Sequence, residues 1–166
     1  MRLTLRRARG FTMVELMVVV SIIGLLALTA TPMFLNSIKA SRERSVVEKF
    51  SSDYLWVRSQ ASLNAVTQAQ LTINANCTWT ASVAGATDGA HSLSAAALAS
   101  MAPGFSCAAG SLALPAALCF SPQGALTTAA TAGCPAGVSS GGTFTMTGAS
   151  GQSWPLQVLR SGAVIR

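Results

Sequence analysis

Residues 10–28 read GFTMVELMVVVSIIGLLAL, and from Phe11 to Ile38 the chain carries one charged side chain, Glu15. Between Leu16 and Leu28 only Ser21 and Gly24 interrupt the apolar run. About 20 such residues cross a bilayer as a helix. Arg2, Arg6, Arg7 and Arg9 precede the run, and after Glu15 no charge appears until Lys39. The positive-inside bias then holds the first ten residues in the cytoplasm and sends the rest of the chain outward. An ordinary signal peptide is cut behind its apolar stretch at small residues, but the best such place, after Ala30, has bulky Leu28 where a small residue is needed. The alternative is the Gly10/Phe11 bond on the cytoplasmic side, where cutting removes the charges and keeps the helix.

Glu15 is the residue that a plain membrane anchor does not explain. A carboxylate in a transmembrane helix costs about 2.5 to 3.5 kcal/mol even on lenient insertion scales. A new α-amino group at Phe11 lies one helical turn away with the opposite charge, and it can pair with Glu15 of its own chain or of a neighbour. A pair between chains sets the register of subunits leaving the bilayer. The plainer alternative is a carboxylate tolerated near the interface of a single-pass anchor that never polymerises.

Gly10, Phe11, Thr12, Glu15 and Leu16, followed by the long apolar run, resemble the prepilin motif of type IV pilins and type II secretion pseudopilins. The resemblance implies that an inner-membrane peptidase cuts after Gly10 and methylates the amine of Phe11. It also implies that Glu15 engages the N-terminus of a neighbouring subunit during assembly, and Pro32 falls where many such pilins place a helix-breaking proline. The implied partners are other pilin or pseudopilin subunits, the prepilin peptidase/methyltransferase, an inner-membrane assembly platform and the lipid of the inner membrane. The head would lie in the periplasm before it enters a pilus or pseudopilus.

Charge supports the same division. The leader supplies four of the eleven basic residues behind the net charge of +6. Without residues 1–10 seven basic and five acidic side chains remain, a balance of +2. The high pI therefore describes a leader more than a surface for nucleic acid.

Beyond Pro32, Val47, Phe50, Tyr54, Val57 and Ala61 recur at steps of three and four, one apolar stripe of a continuing helix. Arg44 with Glu48 and Lys49 with Asp53 stand at i, i+4 spacing and read as solvated pairs off that stripe. A helix from Phe11 to about Asn64 would be about 80 Å long. Proline inside it removes a hydrogen bond, so a kink is expected near residues 28–32.

From residue 65 the composition turns to Ala, Ser, Thr and Gly with short alternating segments: Leu71 and Ile73, Trp79, Phe144 and Met146, Leu156 and Val158, and Val164 with Ile165. These read as strands. Residues 82–117 read as a long loop region with a short helix near Leu93–Met101. The resulting fold is α+β, a long kinked N-terminal helix packed on a C-terminal antiparallel sheet. Its organisation is a leader (1–10), a transmembrane and assembly helix (11–38), an amphipathic continuation (39–64) and a β-rich head (65–166).

Cys77, Cys107, Cys119 and Cys134 are separated by 30, 12 and 15 residues with no CxxC pair, which speaks against zinc. Four cysteines in an exported domain read as two disulfides. Proximity favours Cys119 with Cys134 and leaves Cys77 with Cys107, one of three connectivities.

Phe120, Gly124 and the closing QVLRSGAVIR are similar to the C-terminal half of the FimT/GspH family of minor pilins and pseudopilins. In that family the closing strand often carries arginines after Ser-Gly, which in competence pilins contact DNA. Here Ala163 and Ile165 occupy those positions, and Arg160 and Arg166 remain. Two arginines flanking an apolar strand make a thin phosphate-binding cluster, and Trp154 is the nearest ring. DNA is thus the weaker partner reading, against one in which both arginines are solvated strand ends. The only histidine, His91, reads as a surface loop residue. With no GxSxG elbow, paired carboxylates or metal spacing in the head, the sequence points to no enzyme and calls for no cofactor. The reading that unites these features is a minor subunit of a type IV pilus, with a type II secretion pseudopilin next and a DNA-binding pilin third.

Overall fold

The computed structural model describes residues 10–63, 69–127 and 141–166, the side chains of residues 28–33 excepted. It divides into two compact units that meet between Ile38 and Lys39. Helix α1, Met13–Leu63, contributes to both. It is helical through Pro32, but the kink expected near residues 28–32 falls on side chains outside those described. In the first unit the apolar side chains from Phe11 to Leu26, and Phe34 and Leu35, stand largely exposed. Among the described residues no helix is long and apolar enough to cross a membrane. The described side chains of the apolar run stop at Ala27 and resume at Phe34.

The second unit is an antiparallel β head built on the rest of α1. Its strands are β1 (Ala69–Ile73), β2 (Trp79–Val83), β3 (Ala86–Leu93), β4 (Ser106–Ala109), β5 (Ala116–Phe120), β6 (Gly142–Thr147), β7 (Ser153–Val158) and β8 (Val164–Ile165), with a short helix α2 (Ala95–Met101) between β3 and β4. One sheet has the order β3-β2-β1-β5 and the other β4-β6-β7-β8. Leu71 stands opposite Ala81 and Leu118, and Phe144 opposite Leu156. The alternation at Leu71 and Ile73, Phe144 and Met146, and Leu156 and Val158 turns these side chains into the core.

The helical stripe supplies the other wall. Val46, Val47, Phe50, Tyr54, Val57 and Ala61 are fully buried. Phe50 meets Trp79 of β2 at 5.3 Å and Phe144 of β6 at 5.6 Å, both edge-on, so one side chain touches both sheets. Tyr54 meets Phe120 of β5 edge-on at 5.2 Å. Such pairs add about 0.5 to 1.5 kcal/mol each beyond the area they bury.

The region 82–117, expected to be largely loop, contains β3, β4 and the first residues of β5. Strand β3, ATDGAHSL, lies at a sheet edge and exposes both faces over much of its length, so it has no alternation to read. Its hairpin turn is Ala84-Gly85, both at positive φ, rather than the Asn-Gly that announces such turns. The short helix does appear, and Ser94 caps it by accepting a hydrogen bond from the Ala97 N–H.

Two further expectations change. Asp53 is buried instead of solvated: its Oδ2 accepts from Lys49 Nζ and from the Trp79 indole N–H, both at 2.8 Å. A buried indole needs an acceptor, and position 53 borders the apolar stripe. His91 is half-buried in β3, with Nδ1 3.2 Å from Asp53 Oδ1 and its ring stacked on Trp56 at 3.8 Å. Arg44 and Glu48 do form the exposed pair expected of them.

Tyr54 is the buried polar group with an unmet demand: its hydroxyl has no hydrogen-bond partner among the described residues. Burial pushes its phenol up to about 12, with the Arg58 charge pulling the other way. The folded state therefore resists ionisation. Stability linked to this group is fully present below pH 10, where the unfolded phenol titrates, and is lost as pH rises toward about 12. Tyr54→Phe is expected to be neutral or stabilising by about 1 kcal/mol at pH 7. Above pH 10 the variant should gain on wild type by about 1.4 kcal/mol per pH unit, read from urea unfolding followed by tryptophan fluorescence.

Candidate functional site

The N-terminal segment is ordered by its own sequence. Gly10, Phe11 and Thr12 precede α1, so Phe11 lies outside the helix that the sequence reading began with it. Thr12 acts as the cap: its Oγ1 accepts from the Glu15 N–H and its carbonyl from the Leu16 N–H, each at 3.2 Å. Glu15 is then the third helical residue, the acidic side chain of the first turn. A carboxylate there complements the partial positive charge of the helix end by about 0.3 to 1 kcal/mol. This local role was missed in the sequence reading, although the signal was present as Thr-x-x-Glu ahead of an apolar run.

Gly10 is exposed, and a Cβ built on it meets nothing within 4 Å. Packing among the described residues does not explain the glycine. Phe11 is likewise exposed, at 76%.

In the head, the residues quoted for the closing segment come together around Arg58. Its Nε donates to the Gly124 carbonyl at 2.9 Å and its Nη2 to the Ser161 carbonyl at 3.4 Å. Gly162 adopts a φ of +72°, and a Cβ there would stand 1.9 Å from the Gly124 oxygen. Phe120 is buried against Tyr54. Gly124 and Gly162 are thus one close backbone approach pinned by an arginine of α1. Arg58 itself went unread, since a lone charge on a helix says nothing about a carbonyl 66 residues away.

Arg160 is exposed in the turn between β7 and β8. Arg166 instead reaches α1, where Nη2 donates to the Val47 carbonyl at 3.3 Å and the Ser51 hydroxyl at 3.0 Å. The two arginines thus stand on either side of β8, Arg160 ahead of it and Arg166 after it. Cys77 and Cys107 form a disulfide with a Cα separation of 5.2 Å, the pairing reached by proximity and elimination. Cys119 is also disulfide-bonded, and Cys134 lies outside the described residues. Closing the 30-residue loop from Cys77 to Cys107 contributes about 3 to 4 kcal/mol in the chain-entropy account. Among the described residues no group of three or more His, Cys, Asp or Glu could hold a metal ion.

Residues 5–31 match the family model of the prokaryotic N-terminal methylation motif. The match covers 27 of the 166 residues, the segment that holds Gly10, Phe11 and Glu15. A motif of this kind implies processing by a prepilin peptidase and assembly with other pilin subunits. No curated protein and no solved structure matches the chain. Within the head the Gly124–Gly162 contact is a point where small change is costly. Gly162→Ala is expected to lower stability by about 2 to 4 kcal/mol, from the clash with Gly124 and the left-handed backbone. Chemical unfolding of the variant beside Gly151→Ala is the check. Gly151 has the same kind of φ but open space around it, so its loss should be smaller.

Proposed function

We propose that the chain is a minor pilin-type subunit of the FimT/GspH kind, which enters or primes a type IV pilus through its N-terminal helix. The observation that carries this is the N-terminal methylation motif set on a helix whose cap, Thr12, stands just beyond the Gly10/Phe11 bond. Cutting that bond leaves two residues ahead of the helix and preserves its cap. Exposed Gly10, whose small size no neighbour among the described residues requires, fits a peptidase that must approach the backbone closely.

In this reading residues 1–10 are the leader, Phe11 becomes the methylated N-terminus, and residues 11–38 form the membrane and assembly helix. Residues 39–64 continue it and 65–166 form the periplasmic head. Large apolar side chains stand exposed along the first unit, among them Leu25, Leu26 and Phe34. Such a surface requires lipid or other subunits to cover it. Glu15 takes the N-terminus of a neighbour as its partner, and Pro32 supplies a place where the stem yields during packing. The pseudopilus of type II secretion relies on the same stem and is the second reading. For DNA, both arginines of the closing segment are exposed, but Arg166 already donates to the Val47 carbonyl and the Ser51 hydroxyl of α1, which leaves a weak basis for phosphate binding.

Intact mass of the membrane-extracted protein should correspond to a chain that begins at N-methylated Phe11. A chain beginning at Met1 or near Thr31 would refute the processing. Glu15→Ala should leave expression and cleavage intact while abolishing incorporation into filaments, scored by immunoblot of sheared pili. Pili lost with secretion unaffected assigns the pilus, whereas secretion lost with pili unaffected assigns the pseudopilus.

A further inference from the structure

Lys39 is the first charged residue after Glu15 and opens the second unit. Arg42 follows three positions on, which sets both side chains on the same face of α1. Together with Glu43 they line a cleft of about 200 Å³ whose far wall is Met101, Ala102, Pro103 and Ala149. A second cleft of about 240 Å³, between Arg42 and Ser45 on α1 and Ser100 and Met101 on α2, adjoins it through Arg42 and Met101. The result is a shallow trough with an apolar wall and two exposed cations on its helical side.

These cations differ from the others nearby. Arg44 is paired with Glu48 and Lys49 with Asp53, whereas Lys39 and Arg42 have no hydrogen-bonded or ionic partner among the described residues. The adjacent carboxylate is not free to serve them. Glu43 is almost fully buried, with Oε1 accepting from the Ser150 N–H at 2.9 Å and Oε2 from the Ser150 hydroxyl. Gly148 packs so closely on that carboxylate that a Cβ there would overlap it. Glu43 is thus fixed toward the β6–β7 turn, leaving an ammonium and a guanidinium one helical turn apart beside an apolar wall. That arrangement fits an anionic amphiphile, with its phosphate between the cations.

We propose that this trough binds the phosphate headgroup of an anionic phospholipid in the outer face of the membrane that holds the stem. The proposal rests on the membrane reading given above. In that reading the apolar stretch ends at Ile38, so Lys39 and Arg42 emerge at headgroup level, where basic side chains gain from anionic lipid. The trough holds the subunit at the surface through a contact that must be broken when the stem is extracted. Basic residues on the exported flank run against the usual bias, and a phosphate ligand gives them a reason to be there.

The test titrates the processed full-length chain, purified from membranes in detergent, with phosphatidylglycerol and separately with phosphatidylcholine, with bound lipid counted by native mass spectrometry. Phosphatidylglycerol should bind on the order of tenfold more tightly. Lys39→Gln/Arg42→Gln should erase that preference, while Lys39→Arg/Arg42→Lys should keep it and Arg44→Gln, which removes a nearby but paired charge, should leave it unchanged. Equal binding of the two lipids by wild type, or a preference that survives in the double glutamine variant, overturns the proposal. A double variant that loses self-association while its lipid preference persists also overturns it and assigns the cations to an acidic surface of another subunit. A chain that never enters the membrane fraction refutes the membrane reading beneath. A membrane-bound chain without lipid preference refutes the headgroup site alone.

Discussion

Two four-stranded sheets, which share no hydrogen-bonded edge among the described residues, depend on one face of one helix. Phe50 is the side chain in which this is concentrated, standing edge-on to Trp79 in one sheet and to Phe144 in the other. Each sheet has one face to bury, and four short strands cannot do so alone. The disulfide from Cys77, just ahead of β2, to Cys107 in β4 ties the same two sheets covalently. At the far end of the stripe Arg58 and the Leu126 N–H, which donates to the Arg160 carbonyl, bring the loop after β5 onto the turn after β7. The head is therefore organised from α1 outward, with its loops fastened to the helix by polar contacts where the apolar stripe runs out.

Those polar contacts explain what the sequence could and could not reveal. The stripe from Val47 to Ala61 and the paired positions in β1, β6 and β7 were legible because burial has a period, 3.6 in the helix and 2 in the strands. Asp53 was misread because an i, i+4 pair has the same spacing whether it faces water or an indole, and only Trp79 decides which. His91 was misread with β3, whose small residues carry no period and whose place at a sheet edge is set by pairing with β2. Arg58, Glu43 and Arg166 act on backbone or hydroxyl groups far away in sequence, a kind of contact without any local signature.

The N-terminus was legible for a different reason. Its pattern is chemical rather than periodic: four arginines, a small residue, an aromatic residue, and one carboxylate in an otherwise uncharged stretch of 28 residues. The capping role of Thr12 escaped, and that role bears on how Glu15 is explained. A first-turn glutamate behind a threonine cap is ordinary in water, where it needs no partner beyond the helix end.

Magnitudes show why that local role is insufficient in the proposed setting. The helix end returns about 0.3 to 1 kcal/mol to a carboxylate in its first turn, whereas placing it in a bilayer costs about 2.5 to 3.5 kcal/mol. The shortfall of about 2 kcal/mol has to come from another charge. Cleavage before Phe11 would create a cation one residue ahead of the cap, but that amine would sit at the positive end of its own helix, where it is disfavoured. In that setting each chain would carry an undercompensated carboxylate and an amine in an unfavourable place. Offsetting two such helices so that the amine of one reaches the carboxylate of the next relieves both, and it does so only in an apolar medium where the unpaired charges are costly. The cap explains why Glu15 is compatible with the helix, and the membrane explains why it would seek a neighbour.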